Sequence, residues 1–148
     1  KGEQKRGFEP FLGKTGPLQR FCDEYDLKVP ELDVFVVEDD PKLNEIIAIT
    51  LKADFEVETC ADGKTAMERL KQIVPDLVVL DLNLPSASGR DILENIRADE
   101  RLAKTRVILT TADERQAETL TNEADIVLLK PVSPIQLREM AQRMTTKK

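Results

Sequence analysis

Four short runs of this chain are apolar at every position: Val34-Phe35-Val36-Val37, Leu77-Val78-Val79-Leu80, Val107-Ile108-Leu109 and Ile126-Val127-Leu128-Leu129. A strand with one wet face alternates apolar and polar residues, so runs without alternation belong to strands covered on both faces. Strands of that kind are typical of parallel sheets, and parallel neighbours need a crossover, usually a helix. The segments between the runs supply it. Leu43, Ile46, Ile47, Thr50 and Leu51 recur at helical spacing, as do Ala66, Met67, Leu70, Ile73 and Val74, then Ile92, Leu93 and Ile96. A weaker segment over 113–121 turns only Ala117 and Leu120 inward, and a last one carries Ile135, Leu137, Met140, Ala141 and Met144. Residues 55–60 alternate, as a half-buried strand would.

Start signals agree with this division. Asp40-Pro41 and Ser133-Pro134 pair an N-cap residue with proline in the first helical turn, Asp62 caps the second helix, and Gln136 completes a capping-box pattern with Ser133. Five strands alternating with five helices predict an α/β fold: a doubly wound five-stranded parallel sheet with helices on both faces.

The predicted folded part covers residues 32–146. Residues 1–31 hold glycines at 2, 7, 13 and 16 and prolines at 10, 17 and 30, with no sustained period, and read as a linker or N-terminal extension. A short helix from Pro17, with Leu18, Phe21, Cys22 and Tyr25 on one side, is one option there; a flexible leader or expression remnant is the plainer one. The chain begins without Met, as a piece of a longer protein would.

In open α/β sheets, ligands bind beyond the carboxyl ends of the strands. Here the first strand ends in Glu38, Asp39 and Asp40, the third in Asp81, the fourth in Thr110 and Thr111, and the fifth in Lys130. Taken singly, each has a plain explanation as a helix cap, a solvated loop acid or a surface turn. Parallel strands bring them all to one pole, where clustered carboxylates repel one another unless a cation neutralises them. Hard oxygen ligands suit Mg²⁺, with Mn²⁺ as an alternative, and a nearby lysine and hydroxyl suit a phosphoryl group. The set fits phosphoryl transfer through an aspartyl phosphate.

Composition narrows the chemistry. The chain has no histidine, which removes imidazole bases, imidazole metal ligands and any phosphohistidine of its own. Its two cysteines, Cys22 and Cys60, cannot form a four-cysteine zinc site and read as reduced thiols of a cytoplasmic protein. Net charge is −6 and no long basic run occurs, so direct nucleic-acid binding is not expected. Residues 1–30 carry six basic and five acidic side chains; the remainder carries sixteen and twenty-three. The longest apolar runs are four residues, so no membrane span is expected.

These residues resemble the receiver domain of two-component response regulators, the chemotaxis-regulator-like family. The motifs are residues 34–41, residues 75–85 with Gly89, residues 107–112, and Leu128-Leu129-Lys130-Pro131. The resemblance implies a flavodoxin-like sheet of order 2-1-3-4-5. It implies that Asp81 is the phosphoacceptor, and that Glu38 and Asp39 hold Mg²⁺ together with Asp81 and the backbone carbonyl of Asn83. Thr111, followed by the small Ala112, would be the switch hydroxyl, with Thr110 as its decoy neighbour. Lys130 would pair with a phosphate oxygen, and a cis peptide to Pro131 is expected.

Implied partners are a sensor histidine kinase or histidine phosphotransfer domain, which would supply the phosphoryl group, and a downstream protein target. A phosphorylation-dependent dimer is compatible with the family. Asn83 and Asp113 stand where the family tunes hydrolysis, and both are polar, which predicts no exceptionally long-lived phosphate. The chain departs from the family in two places. Val127 stands where most receivers carry an aromatic, three residues before the lysine, and the interval from Thr111 to Lys130 is about three residues short.

Rival classes are weaker. Gly63-Lys64-Thr65 mimics the end of a P-loop, but the required first glycine falls on Glu58, and Gly13-Lys14-Thr15 fails likewise at Phe8. No Gly-x-Gly-x-x-Gly follows a strand. A haloacid-dehalogenase-type phosphatase would carry a second Asp where Asn83 stands. The alternative kept is a degenerate receiver acting as a phosphorylation-independent interaction module. A stand-alone receiver and one excised from a hybrid kinase or larger regulator both remain open.

Overall fold

The computed structural model describes residues 32–145. The extension over 1–31, with its short helix from Pro17 and with Cys22, lies outside the described residues. In chain order the elements are β1 (Val34–Val37), α1 (Pro41–Lys52), β2 (Val57–Cys60), α2 (Gly63–Leu70), β3 (Leu77–Asp81), α3 (Gly89–Ala98), a 3₁₀ turn (Glu100–Leu102), β4 (Arg106–Thr111), α4 (Glu114–Leu120), β5 (Ile126–Leu129) and α5 (Pro134–Met144). All four strand pairings are parallel, and the sheet order is β2-β1-β3-β4-β5.

Successive side chains of a strand point to opposite faces, so one apolar run feeds two cores. Phe35, Val37, Val78, Leu80, Val107 and Leu109 pack on one face with Ala66 and Leu70 of α2, Ile92, Leu93 and Ile96 of α3, and Leu120 of α4. Val34, Val36, Leu77, Val79 and Ile108 pack on the other face with Ile47 and Leu51 of α1 and Leu137 and Ala141 of α5. This is why β1 and the run Leu77–Leu80 of β3 need no polar position: every residue in both strands is buried, and the one acid, Asp81, stands at the end of β3.

The caps are as the sequence indicates. Asp40 accepts from Lys42 N at 3.0 Å, Asp62 from Thr65 N at 2.9 Å, and Ser133 from Gln136 N at 3.2 Å. Each satisfies a backbone donor that the helix itself leaves unpaired.

Several local expectations are corrected. Ile46 lies outside the apolar stripe of α1: it sits about 100° round the helix from Ile47, and both it and Ile49 face solvent. Ile135 is exposed in the first turn of α5. α2 stops at Leu70, and Ile73 and Val74 pack on the core beyond it. Val74 precedes Pro75, which disfavours helical backbone there. β5 is an edge strand, so its apolar run is only half-buried and Leu129 is 43% exposed. Ala117 is half-buried, which leaves Leu120 as the one buried side chain of α4.

Candidate functional site

The strand register decides which polar groups meet. β1 lies between β2 and β3, with Val37 opposite both Cys60 and Leu80. Glu38 and Asp81 therefore leave adjacent strands at the same level. On the other side of β3, Asp81 pairs with Thr110, and Thr111 pairs with Leu129, one residue before Lys130. Four separated strand ends converge because the sheet is parallel and its strands end together.

Glu38 and Asp81 are each 2% exposed, while Asp39 is exposed. One carboxylate oxygen from each of the three lies within 4.8 Å of the others. Lys130 reaches in from the end of β5, with Nζ 3.3 Å from Asp81 Oδ2 and 3.5 Å from Glu38 Oε1. The Lys130–Pro131 peptide is cis. Backbone donors hold the acids: Asn83 N donates to Asp81 Oδ1 at 3.0 Å, and Asp40 N to Glu38 Oε2 at 3.1 Å.

Burial pushes the Glu38 carboxyl up to about 7. The Asp81 charge adds to that rise, and the Asp40 N–H and Lys130 oppose it. Burial also raises Asp81, against the Asn83 N–H and Lys130. Burial works against the Lys130 charge, but the Asp81 and Glu38 carboxylates outweigh it and hold the ammonium above its usual range. Clustered buried carboxylates with one lysine among them favour a further cation. An all-oxygen donor set fits a hard divalent ion such as Mg²⁺.

Thr111 is fully buried, and its Oγ1 lies 3.2 Å from Asn83 Oδ1. Thr110 is its neighbour on the opposite face of β4, as strand alternation requires. Asp40 is committed to capping α1, which separates it from the acidic trio.

Three supports escaped the sequence reading. Asn44 of α1 donates Nδ2 to the Glu38 carbonyl at 2.8 Å and spans to the Cys60 carbonyl at 3.4 Å, tying the acidic turn to β2. The Ser86 hydroxyl donates to Asp62 Oδ1 and accepts from Lys64 N at 3.2 Å, pinning the loop after Asp81 to the start of α2. Gln116 of α4 places Oε1 3.0 Å from Thr111 Oγ1. The first two have no signal in sequence, since each contact depends on which loops face one another; Asp113 and Gln116 show a capping-box spacing, which points to the cap of α4 and not to Thr111. Gly89 does carry one: a Cβ there would stand 2.5 Å from Leu82 Cα and 2.6 Å from the Asp81 carbonyl oxygen, so only glycine lets α3 start this close to the site.

A doubly wound sheet with acids at the ends of β1 and β3 and a lysine at the end of β5 defines the class of the chemotaxis-type receivers. The response regulator receiver domain model matches residues 34–142, and the chain belongs to that family. It is 36% identical over 119 residues to hybrid signal transduction histidine kinase D of Dictyostelium discoideum, covering 78% of this chain and 8% of that protein. It is 33% identical over 108 residues to the DNA-binding response regulator MtrA of Mycolicibacterium smegmatis, covering 70% of this chain and 46% of that one. The chain thus spans less than half of either relative. Its fold matches the receiver domain of the sensor histidine kinase PA1611 of Pseudomonas aeruginosa, whose structure has a magnesium ion coordinated in the active-site cleft. That match has a TM-score of 0.70 and 25% identity, and covers 80% of this chain and all of that one. The chain is accordingly a receiver domain of two-component signalling. Among the described residues no helix is long and apolar enough to cross a membrane.

Proposed function

We propose that this chain is a phosphorylation-switched receiver that accepts a phosphoryl group from a partner's phosphohistidine onto Asp81, in a Mg²⁺-dependent reaction. The observation that carries the reading is the buried Asp81 carboxylate, with Lys130 Nζ at 3.3 Å and two further carboxylates beside it. Glu38, Asp39, Asp81 and the Asn83 carbonyl would hold the metal. The bound ion supplies positive charge against the carboxylates and the phosphoryl oxygens.

The chain's own groups do the rest. An Asp81 oxygen attacks phosphorus and forms the new P–O bond. The P–N bond breaks, and its electron pair returns to the partner's imidazole, which leaves neutral because its other nitrogen carries the proton. Lys130 stays protonated and offsets charge on the transferring oxygens. Thr111 then donates its hydroxyl to the phosphoryl group and moves inward, which shifts the equilibrium of the α4–β5–α5 face. Water later hydrolyses the acyl phosphate, so any catalysis is of the chain's own phosphotransfer and dephosphorylation. The absence of histidine makes a separate donor necessary: a histidine kinase, a phosphotransfer domain or a small phosphodonor. A cytoplasmic receiver over 32–146, following an N-terminal extension and acting on a downstream protein, completes the proposal.

Acetyl phosphate tests it. With Mg²⁺ it should label the protein once, a chelator should abolish the label, and Asp81→Asn should remove it entirely. No labelling of the unaltered chain at saturating donor and Mg²⁺ would instead support the phosphorylation-independent interaction module.

A further inference from the structure

The hydroxyl of Thr111 does more than face the site. Its Oγ1 accepts from Asp113 N at 3.1 Å and lies 3.0 Å from Gln116 Oε1 and 3.2 Å from Asn83 Oδ1. A threonine hydroxyl has one proton, so it can donate to only one of these two amide oxygens at a time. Asp113 is the N-cap of α4, and its carboxylate accepts from Arg115 N at 2.9 Å. Gln116 is the third residue of the same helix. In a capping box the side chain at that position reaches back to the N–H of the cap residue. Here Thr111 holds that N–H instead, and Gln116 reaches the hydroxyl that displaced it.

We propose that Gln116 is an exchangeable cap for α4. When a phosphoryl group on Asp81 accepts the hydrogen bond of the Thr111 hydroxyl and draws it away, Gln116 Oε1 accepts from Asp113 N and completes the capping box. This deepens the function proposed above and rests on the roles given there to Asp81 and Thr111.

The physical need is plain. A part-buried backbone N–H left without an acceptor is costly, and α4 has little else to hold it: seven residues and one buried side chain. The exchange keeps the Asp113 donor satisfied in both states and moves the first turn of α4 between two partners. It is a two-state element built from two side chains, Thr111 and Gln116, and one backbone N–H, and Val127 on the adjacent strand offers no polar atom to take part.

Gln116→Leu tests it. In the unphosphorylated protein Thr111 still caps Asp113, and Asn83 Oδ1 stands ready for its proton, so α4 should keep its amide protection. In the phosphorylated protein the second cap is gone. Labelling at fixed acetyl phosphate and Mg²⁺ should fall about five-fold, the worth of one ordinary hydrogen bond. The Asp113 amide should exchange faster in the labelled variant than in the labelled parent. Gln116→Glu, which retains an acceptor at the capping-box position, should restore both.

If Gln116→Leu labels like the parent and protects Asp113 equally, the exchange is overturned while Asp81 stands. If α4 loses protection before any labelling, Gln116 is a static support and the exchange is again overturned. If the parent itself takes no label, the Asp81 reading fails first.

Discussion

The pole around Asp81 and the flank formed by α4 and β5 belong to one sheet but are held in opposite ways. At the pole, β1 and β3 are buried throughout and lie between other strands, and the two buried acids, Glu38 and Asp81, are each fixed by a backbone donor, with Lys130 shared between them. At the flank, a seven-residue helix with one buried side chain covers a half-buried edge strand. The flank relies on polar tethers. Thr111 and Gln116 hold its near end. At its far end Arg97 donates to the Glu123 carbonyl at 2.9 Å and the Thr105 carbonyl at 3.2 Å, and pairs with Asp125 at 3.1 Å. Asp125 also accepts from Val107 N at 2.7 Å. A site needs fixed geometry, which a sheet centre supplies through packing; an element that must move is better held by a few hydrogen bonds that can exchange.

Four substitutions and a titration can break or sharpen that contrast. After the loss of all labelling in Asp81→Asn, the largest effect belongs to Lys130→Ala. It should slow phosphorylation by acetyl phosphate about 100-fold, as removal of one preorganised charge at a transferring group does. A change under three-fold would mean that the rigid pole does not depend on its one lysine.

Leu120→Ala removes the single anchor of α4 and should cost about 2–3 kcal/mol in urea unfolding. Its amide exchange should rise across residues 114–120 while β1 and β3 stay protected. Equal loss in the central strands would show that flank and pole unfold as one unit. Arg97→Ala should cost about 1 kcal/mol, since its bonds are partly exposed and worth correspondingly less.

The remaining test comes from pH and concerns the pole alone. Glu38 sits above its usual range, near 7, so between about pH 4.5 and 7 the folded chain holds a proton that the unfolded chain has released. The folded state is favoured below that window and loses this advantage as pH rises through it. Melting of chelator-treated protein should therefore fall from pH 5 to 7.5. Added Mg²⁺ should recover more at the upper end, where the carboxylates are ionised. A flat profile would remove the argument that these acids await a cation.

Much of the pole was legible because its signals are local. Apolar runs ending in Asp81 or Lys130, a cap at Asp40 and a glycine at Gly89 can each be recognised within a few residues. The flank was less legible. Ala117 counted as inward from spacing alone, but a short helix on a sheet edge has too little surface to bury it fully. Gln116 carried only a local signal: a glutamine at the third position of a helix reads as an ordinary capping residue until Thr111 is seen to occupy its target. Ile46 shows the same limit: periodicity marks a stripe, and only the neighbouring helix decides how wide the buried stripe is.

The sequence by itself determined that five strands lie parallel, that helices cover both faces, and that Glu38, Asp39, Asp81, Thr111 and Lys130 stand at strand ends. These follow from hydrophobic pattern and strand direction, which act over a handful of residues. Tertiary structure decided which oxygen faces which nitrogen: Lys130 between two carboxylates, Ser86 against Asp62, and Gln116 on the Thr111 hydroxyl. Hydrogen bonds act over about 3 Å and demand direction, so their partners exist only once segments distant in the chain have been brought to the same end of the sheet.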